Sequence, residues 1–95
     1  MIDVKIKFLS LLADLTEEEE LMLSIDEESS IKDLIGKLIL RYGEDFKNQI
    51  LSSQDLLNKY IILVLNGKHL RSYHGLETLI HKGDEIAFLP AIAGG

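Results

Sequence analysis

Ser30-Ile31-Lys32-Asp33-Leu34-Ile35-Gly36-Lys37-Leu38-Ile39-Leu40-Arg41-Tyr42-Gly43 is the stretch from which the rest of the chain is read. A serine followed three positions later by an acidic residue is an N-cap pattern, so a helix is predicted to begin at Ser30. Ile31, Leu34, Ile35, Leu38, Ile39 and Tyr42 recur at the spacing of one helical stripe, and Gly43 stands where helices commonly end on glycine. Burying these aliphatic side chains, at roughly 1.5–3 kcal/mol each, more than offsets Gly36, which costs about 1 kcal/mol relative to alanine inside a helix. Gly36 is expected to let the helix approach a sheet closely.

Toward the N-terminus, Ile2, Val4, Ile6 and Phe8 alternate with Asp3, Lys5 and Lys7, the period of a strand buried on one face. Leu9 to Leu15 reads as a short helical turn, and Glu17-Glu18-Glu19-Glu20 as a solvated acidic loop. Leu21, Leu23 and Ile25 resume the alternation, which predicts a hairpin with the first strand.

Toward the C-terminus, Phe46, Ile50 and Leu51 suggest a short packed helical segment, and Ser52-Ser53-Gln54 a surface loop. The unbroken apolar run Ile61 to Leu65 reads as a fully buried central strand. Asn66-Gly67 then makes a tight turn with positive φ into a short return strand, Lys68-His69-Leu70. Ser72 to Ile80 looks irregular. His81-Lys82-Gly83-Asp84 turns into a last strand, Glu85 to Leu89, whose pairing is expected to end at Pro90. The order strand, strand, helix, strand, short strand, strand places one main helix across a mixed sheet. That is an α+β arrangement of the β-grasp, ubiquitin-like kind.

The 95 residues, 46% of them hydrophobic, suffice for one core and not two, so residues 1–95 are read as a single domain with a flexible tail at 91–95. No stretch near the N-terminus suits a signal sequence or a membrane span, and a cytoplasmic location is expected. With no cysteine the chain has no thiol nucleophile, so sulfur chemistry would need sulfur brought by another protein. A net charge of −6 argues against nucleic-acid binding. His69, His74 and His81 lack the paired spacing of a metal site and read as surface or turn residues.

The sequence closes on Ala91-Ile92-Ala93-Gly94-Gly95. Two glycines without Cβ form a thin stalk that fits a narrow channel. A terminal carboxylate has a reference pKa of about 3.3–3.7, so on Gly95 it is anionic at neutral pH and a poor electrophile until activated. No side chain of this chain performs that activation, which points to a partner enzyme. Five residues at about 3.3–3.6 Å each reach roughly 17 Å beyond the strand. The apolar sheet face near Phe88, Leu89, Pro90 and Ile92 is the candidate partner-binding surface, with core the favoured reading of Phe88 and interface that of Ile92.

Gly83-Asp84-Glu85-Ile86-Ala87-Phe88-Leu89-Pro90, followed by a tail ending Ala93-Gly94-Gly95, resembles the C-terminus of the MoaD-like (MoaD/ThiS) sulfur carriers, and among them the small subunit of molybdopterin synthase. The resemblance takes in the opening strand, the helix capped at Ser30 and the Val64-Leu65-Asn66-Gly67 turn. It departs at Ala13, where many members carry arginine, and at Pro90-Ala91, where many have two prolines. It implies that an adenylating activating enzyme uses ATP on Gly95, that a persulfide sulfur donor replaces the adenylate, and that the glycyl thiocarboxylate then enters the large subunit of molybdopterin synthase. No permanently bound cofactor and no metal are implied. A ubiquitin-like protein modifier, a carrier for tRNA thiolation or thiamine synthesis, and a β-grasp binding module with an incidental Gly-Gly are the competing readings.

Overall fold

The computed structural model describes residues 1–52 and 56–90. Its sheet has five strands: β1 (Ile2–Phe8), β2 (Glu20–Ile25), β3 (Ile61–Leu65), β4 (Lys68–His69) and β5 (Glu85–Pro90). They lie side by side in the order β2-β1-β5-β3-β4. β1 runs antiparallel to β2 and parallel to β5, while β3 runs antiparallel to β5 and β4, so the sheet is mixed as expected. Among the described residues three α-helices accompany it: α1 (Leu11–Thr16), α2 (Ile31–Tyr42) and α3 (Glu44–Ile50). The single main helix of the sequence reading is α2, and α1 and α3 are the short helical segments read at Leu9 to Leu15 and around Phe46 and Ile50.

α2 forms where its sequence signals place it. Ser30 Oγ accepts from the Asp33 amide and the Asp33 carboxylate accepts from the Ser30 amide, a reciprocal capping box. The Ser30 donation holds the Asp33 carboxyl below its usual range. At the other end Gly43, at φ +89, donates its N–H to Ile39 O, a conformation that favours glycine. Ile31, Leu34, Ile35 and Leu38 are buried against the inward face of the sheet, formed by Val4, Ile6, Leu63, Ile86 and their neighbours. Gly36 does not serve close packing, since it faces outward and a Cβ built on it would meet no atom within 4 Å.

Several other expectations are corrected. Ile61 to Leu65 is not a fully buried central strand: β3 stands one place from the sheet edge, and its residues alternate between buried and half-buried. The central strand is β5. Pro90, read as lying just past the last strand, is itself the last residue of β5 and is paired opposite Ile61. The acidic run is not all loop, because Glu20 opens β2 and Glu18, half-buried, accepts a hydrogen bond from the Tyr42 hydroxyl and pairs with Arg41 at 3.5 Å. Leu70 leaves the return strand to begin a 3-10 turn, Leu70–Ser72, and a second, Gly75–Glu77, follows within the segment read as irregular. That segment is tied to the start of α2 by Ile31 N–H to Thr78 O and Ile80 N–H to Ser29 O. Asn66 (φ +50) and Gly67 (φ +86) make the predicted turn. Of the expected surface loop, Ser52 is exposed, and Ser53 and Gln54 lie outside the described residues.

Candidate functional site

β5 carries the candidate site because it is both the central strand and the base of the Gly-Gly tail. Its alternate residues face opposite ways. Ile86 and Phe88 point inward with Ile6 and Phe8, their parallel partners on β1. Phe88 is 0% exposed, so it belongs to the core and the partner-binding reading of this residue is withdrawn. Its ring centroid lies 5.5 Å from that of Phe8 and 6.2 Å from that of Phe46, while Tyr42 packs 5.3 Å from Phe46 and edge-on to Phe8 at 5.6 Å. Aromatic pairs at such distances add about 0.5–1.5 kcal/mol each beyond their buried area. The strand end from which the tail departs is therefore fixed from below. It is also fixed laterally, since Leu9 N–H donates to Phe88 O at 3.2 Å.

Tyr42 tethers this aromatic group to the surface through its hydrogen bond to Glu18, which Arg41 also holds. Burial, and next the donation to Glu18, push the Tyr42 phenol up, so it stays a neutral donor at physiological pH. The polar tie links the start of β2 to the end of α2.

The outward face of the sheet is different in character. Leu89 and Ala87 lie beside Ile62 and Val64 of β3, their register partners, and all four are half-buried. Lys5 and Lys7 of β1 border the aliphatic strip on one side and His69 of β4, the partner of Val64, on the other. Lys7 Nζ stands 3.3 Å from Glu85 and 4.0 Å from Glu20, exposed pairs worth about 0–1 kcal/mol each. An aliphatic strip with a mixed-charge rim is chemically suited to docking another protein. Leu89 lies on this face, whereas Pro90, of the same parity as Ile86 and Phe88 and paired with buried Ile61, ends the strand on the other side and is half-buried. Ile62, Val64 and Ala87 were not identified from the sequence as site residues. The signal for Ile62 and Val64 was the unbroken apolar run of β3, which reads equally well as a strand covered on both faces, and Ala87 stood unmarked between Ile86 and Phe88 on β5.

Ile92, Ala93, Gly94 and Gly95 lie outside the described residues. Among the described residues no group of three or more His, Asp or Glu side chains is disposed to hold a metal ion, and no helix is long and apolar enough to cross a membrane. His69 Nδ1 accepts from the Arg71 amide at 3.1 Å and caps a 3-10 turn.

Comparison with known proteins places these features in context. The sequence profile of the ThiS family matches residues 6–95. A protein of Archaeoglobus fulgidus, named provisionally as a sulfur carrier protein, is 36% identical over 74 residues, covering 77% of this chain and 83% of its own. The solution structure of small archaeal modifier protein 1 from Methanosarcina acetivorans superposes with a TM-score of 0.85 at 32% identity, covering 100% of this chain and 98% of that one. A Pyrococcus furiosus structure, described provisionally as molybdopterin converting factor subunit 1, superposes with a TM-score of 0.77 at 21% identity over 97% of this chain and 100% of its own, a likeness of fold.

Proposed function

The chain belongs to the ThiS family, and from that premise we propose that it is a sulfur carrier whose Gly95 carboxylate is adenylated, converted to a thiocarboxylate and spent in sulfur transfer. The observation that carries the reading is the extent of the family match, which runs through Gly94 to Gly95. The sulfur-carrier name of the Archaeoglobus relative supports the same chemistry.

In this reading an activating enzyme docks on the strip of Ile62, Val64, Ala87 and Leu89, with Pro90 and Ile92 guiding the tail into its active site. A Gly95 carboxylate oxygen attacks the α-phosphate of ATP and pyrophosphate leaves. The persulfide of a sulfur donor then displaces AMP from the acyl carbon, and reductive cleavage of the resulting acyl disulfide by a thiol leaves the thiocarboxylate. ATP is the activating enzyme's substrate, and this chain supplies only the acyl group and its presentation. Ala93 and Gly94 contribute slenderness, since a side chain near the terminus would obstruct a narrow channel. The proposed acceptor is a cyclic pyranopterin bound by the large subunit of a molybdopterin synthase, as the resemblance over residues 83–95 implies, with the cytoplasm as the place of reaction.

A second reading has specific support. The 32% identity with a small archaeal modifier protein favours transfer of the same activated Gly95 to a lysine amine of a target protein. Both readings need the adenylate. Incubating the chain with its activating enzyme and ATP, and measuring pyrophosphate release, tests that shared step. Release is expected with the wild-type chain and is expected to disappear when Gly95 is deleted or when one residue is added after it. Undiminished release from either variant would refute the role of Gly95.

A further inference from the structure

The helical side of the molecule carries two surfaces that docking through the sheet leaves unused. One is a groove of about 330 Å3 beside α2 and α3. Ile35, Ile39, Leu51 and Leu76 line it with aliphatic surface, and Lys32 and Lys47 bring it two cations. Leu40, 88% exposed, stands at its rim. Gly36 also lines it, and there the absence of a side chain has no internal reason, since a Cβ would meet nothing within 4 Å and alanine would favour the helix. Glycine at this position keeps the groove open.

The other surface is the outward side of α1. Leu12 and Thr16 are buried and hold the helix down, which leaves Leu11, 73% exposed, and Leu15, 36% exposed, one turn apart with Asp14 alongside and Glu17 just beyond. None of Asp14, Glu17, Lys32 and Lys47 forms a salt bridge among the described residues. One surface is thus aliphatic with anions, and the other aliphatic with cations, that form no salt bridge among the described residues, Lys32 standing near Asp33. α1 is packed on β1, β5 and α3, so its outward side cannot fold back into the groove of its own chain.

We propose that the α2–α3 groove receives the α1 face of a second copy of this chain. Leu11 and Leu15 enter the aliphatic channel over Gly36, and Asp14 and Glu17 meet Lys47 and Lys32. The contact joins unlike surfaces, so it is heterologous and leaves one free groove and one free α1 face at its ends. Its small area and the repulsion between chains of net charge −6 make it weak. Its dissociation constant is expected on the order of 0.1–1 mM, in the range of transient encounters.

Sedimentation equilibrium of the full chain, from micromolar to millimolar concentration, tests this. The apparent mass is expected to rise with concentration. Lys47→Glu and Asp14→Lys are each expected to weaken association about two- to fivefold, and an equimolar mixture of the two variants to restore it, because each then offers the complement of the other. Gly36→Met, at a position with open space, is expected to keep the circular dichroism of the fold while blocking the groove and removing association. A monomer mass at every concentration would overturn the proposal. So would association that survives both charge reversals and Gly36→Met, or a mixture that fails to regain what the single variants lose. Sulfur transfer is not read in this experiment, so the outcome leaves the carrier chemistry untouched.

Discussion

The two faces of β5 are made of neighbouring residues and are put to opposite uses. Ile86 and Phe88 are sealed into the core, whereas Ala87 and Leu89 stay half-open beside Ile62 and Val64. The strand that holds the fold together is also the strand that leads into the tail, so in the proposed mechanism stability and recognition are separated only by the parity of a residue number. This arrangement joins the docking strip and the tail base rigidly, which suits a terminus that must arrive in a partner's active site in a defined direction.

Substitutions along β5 test the separation. Phe88→Ala is expected to cost about 3–5 kcal/mol in denaturant unfolding, because it opens a cavity between Phe8 and Phe46 that the surrounding sheet cannot close. Leu89→Asp, one residue on, is expected to change stability by less than about 1 kcal/mol. It is expected to weaken binding to the activating enzyme by about 30-fold, close to 2 kcal/mol, in calorimetric titration. If Leu89→Asp unfolds the chain, or binds as tightly as wild type, the two faces do not divide the work as described.

Effects away from β5 are smaller and purely structural. Ser30→Ala removes the N-cap of α2 and is expected to lower stability by about 1 kcal/mol with no change in binding. The same cap sets a pH dependence. Asp33 is held lower in the folded state than in the unfolded one, so its contribution is fully present above about pH 4 and is lost as pH falls through the lowered folded value. Asp33→Asn should flatten the stability profile in that acid window alone, as followed by unfolding across the pH series.

The legibility of the sequence followed the locality of each signal. The capping box, the glycine stop at Gly43, the alternation of β1 and the Asn66-Gly67 turn are each set by a few adjacent residues, and the structure places them as read. What the sequence concealed depends on partners distant along the chain. Whether Ile62 and Val64 were covered turned on what lay over the outer face of β3, where both are half-buried among the described residues. Likewise Gly36 suggested contact with the sheet, but its outward position follows from the phase of α2, whose stripe runs through Leu34, Ile35 and Leu38 and passes it by. The tie from Tyr42 to Glu18 spans 24 residues and has no local signature. In the candidate site, Leu89 was identified through its place beside the tail, while Phe88 was assigned to both faces until the register with Phe8 settled it.

The most direct test of the central claim is the intact mass of the chain after incubation with its activating enzyme, ATP and a persulfide donor, with the modified residue located by fragmentation. The account predicts replacement of one oxygen by sulfur at the Gly95 carboxylate. An unchanged terminus under conditions where adenylate forms, above all with the chain recovered as amide conjugates of other proteins, would contradict it.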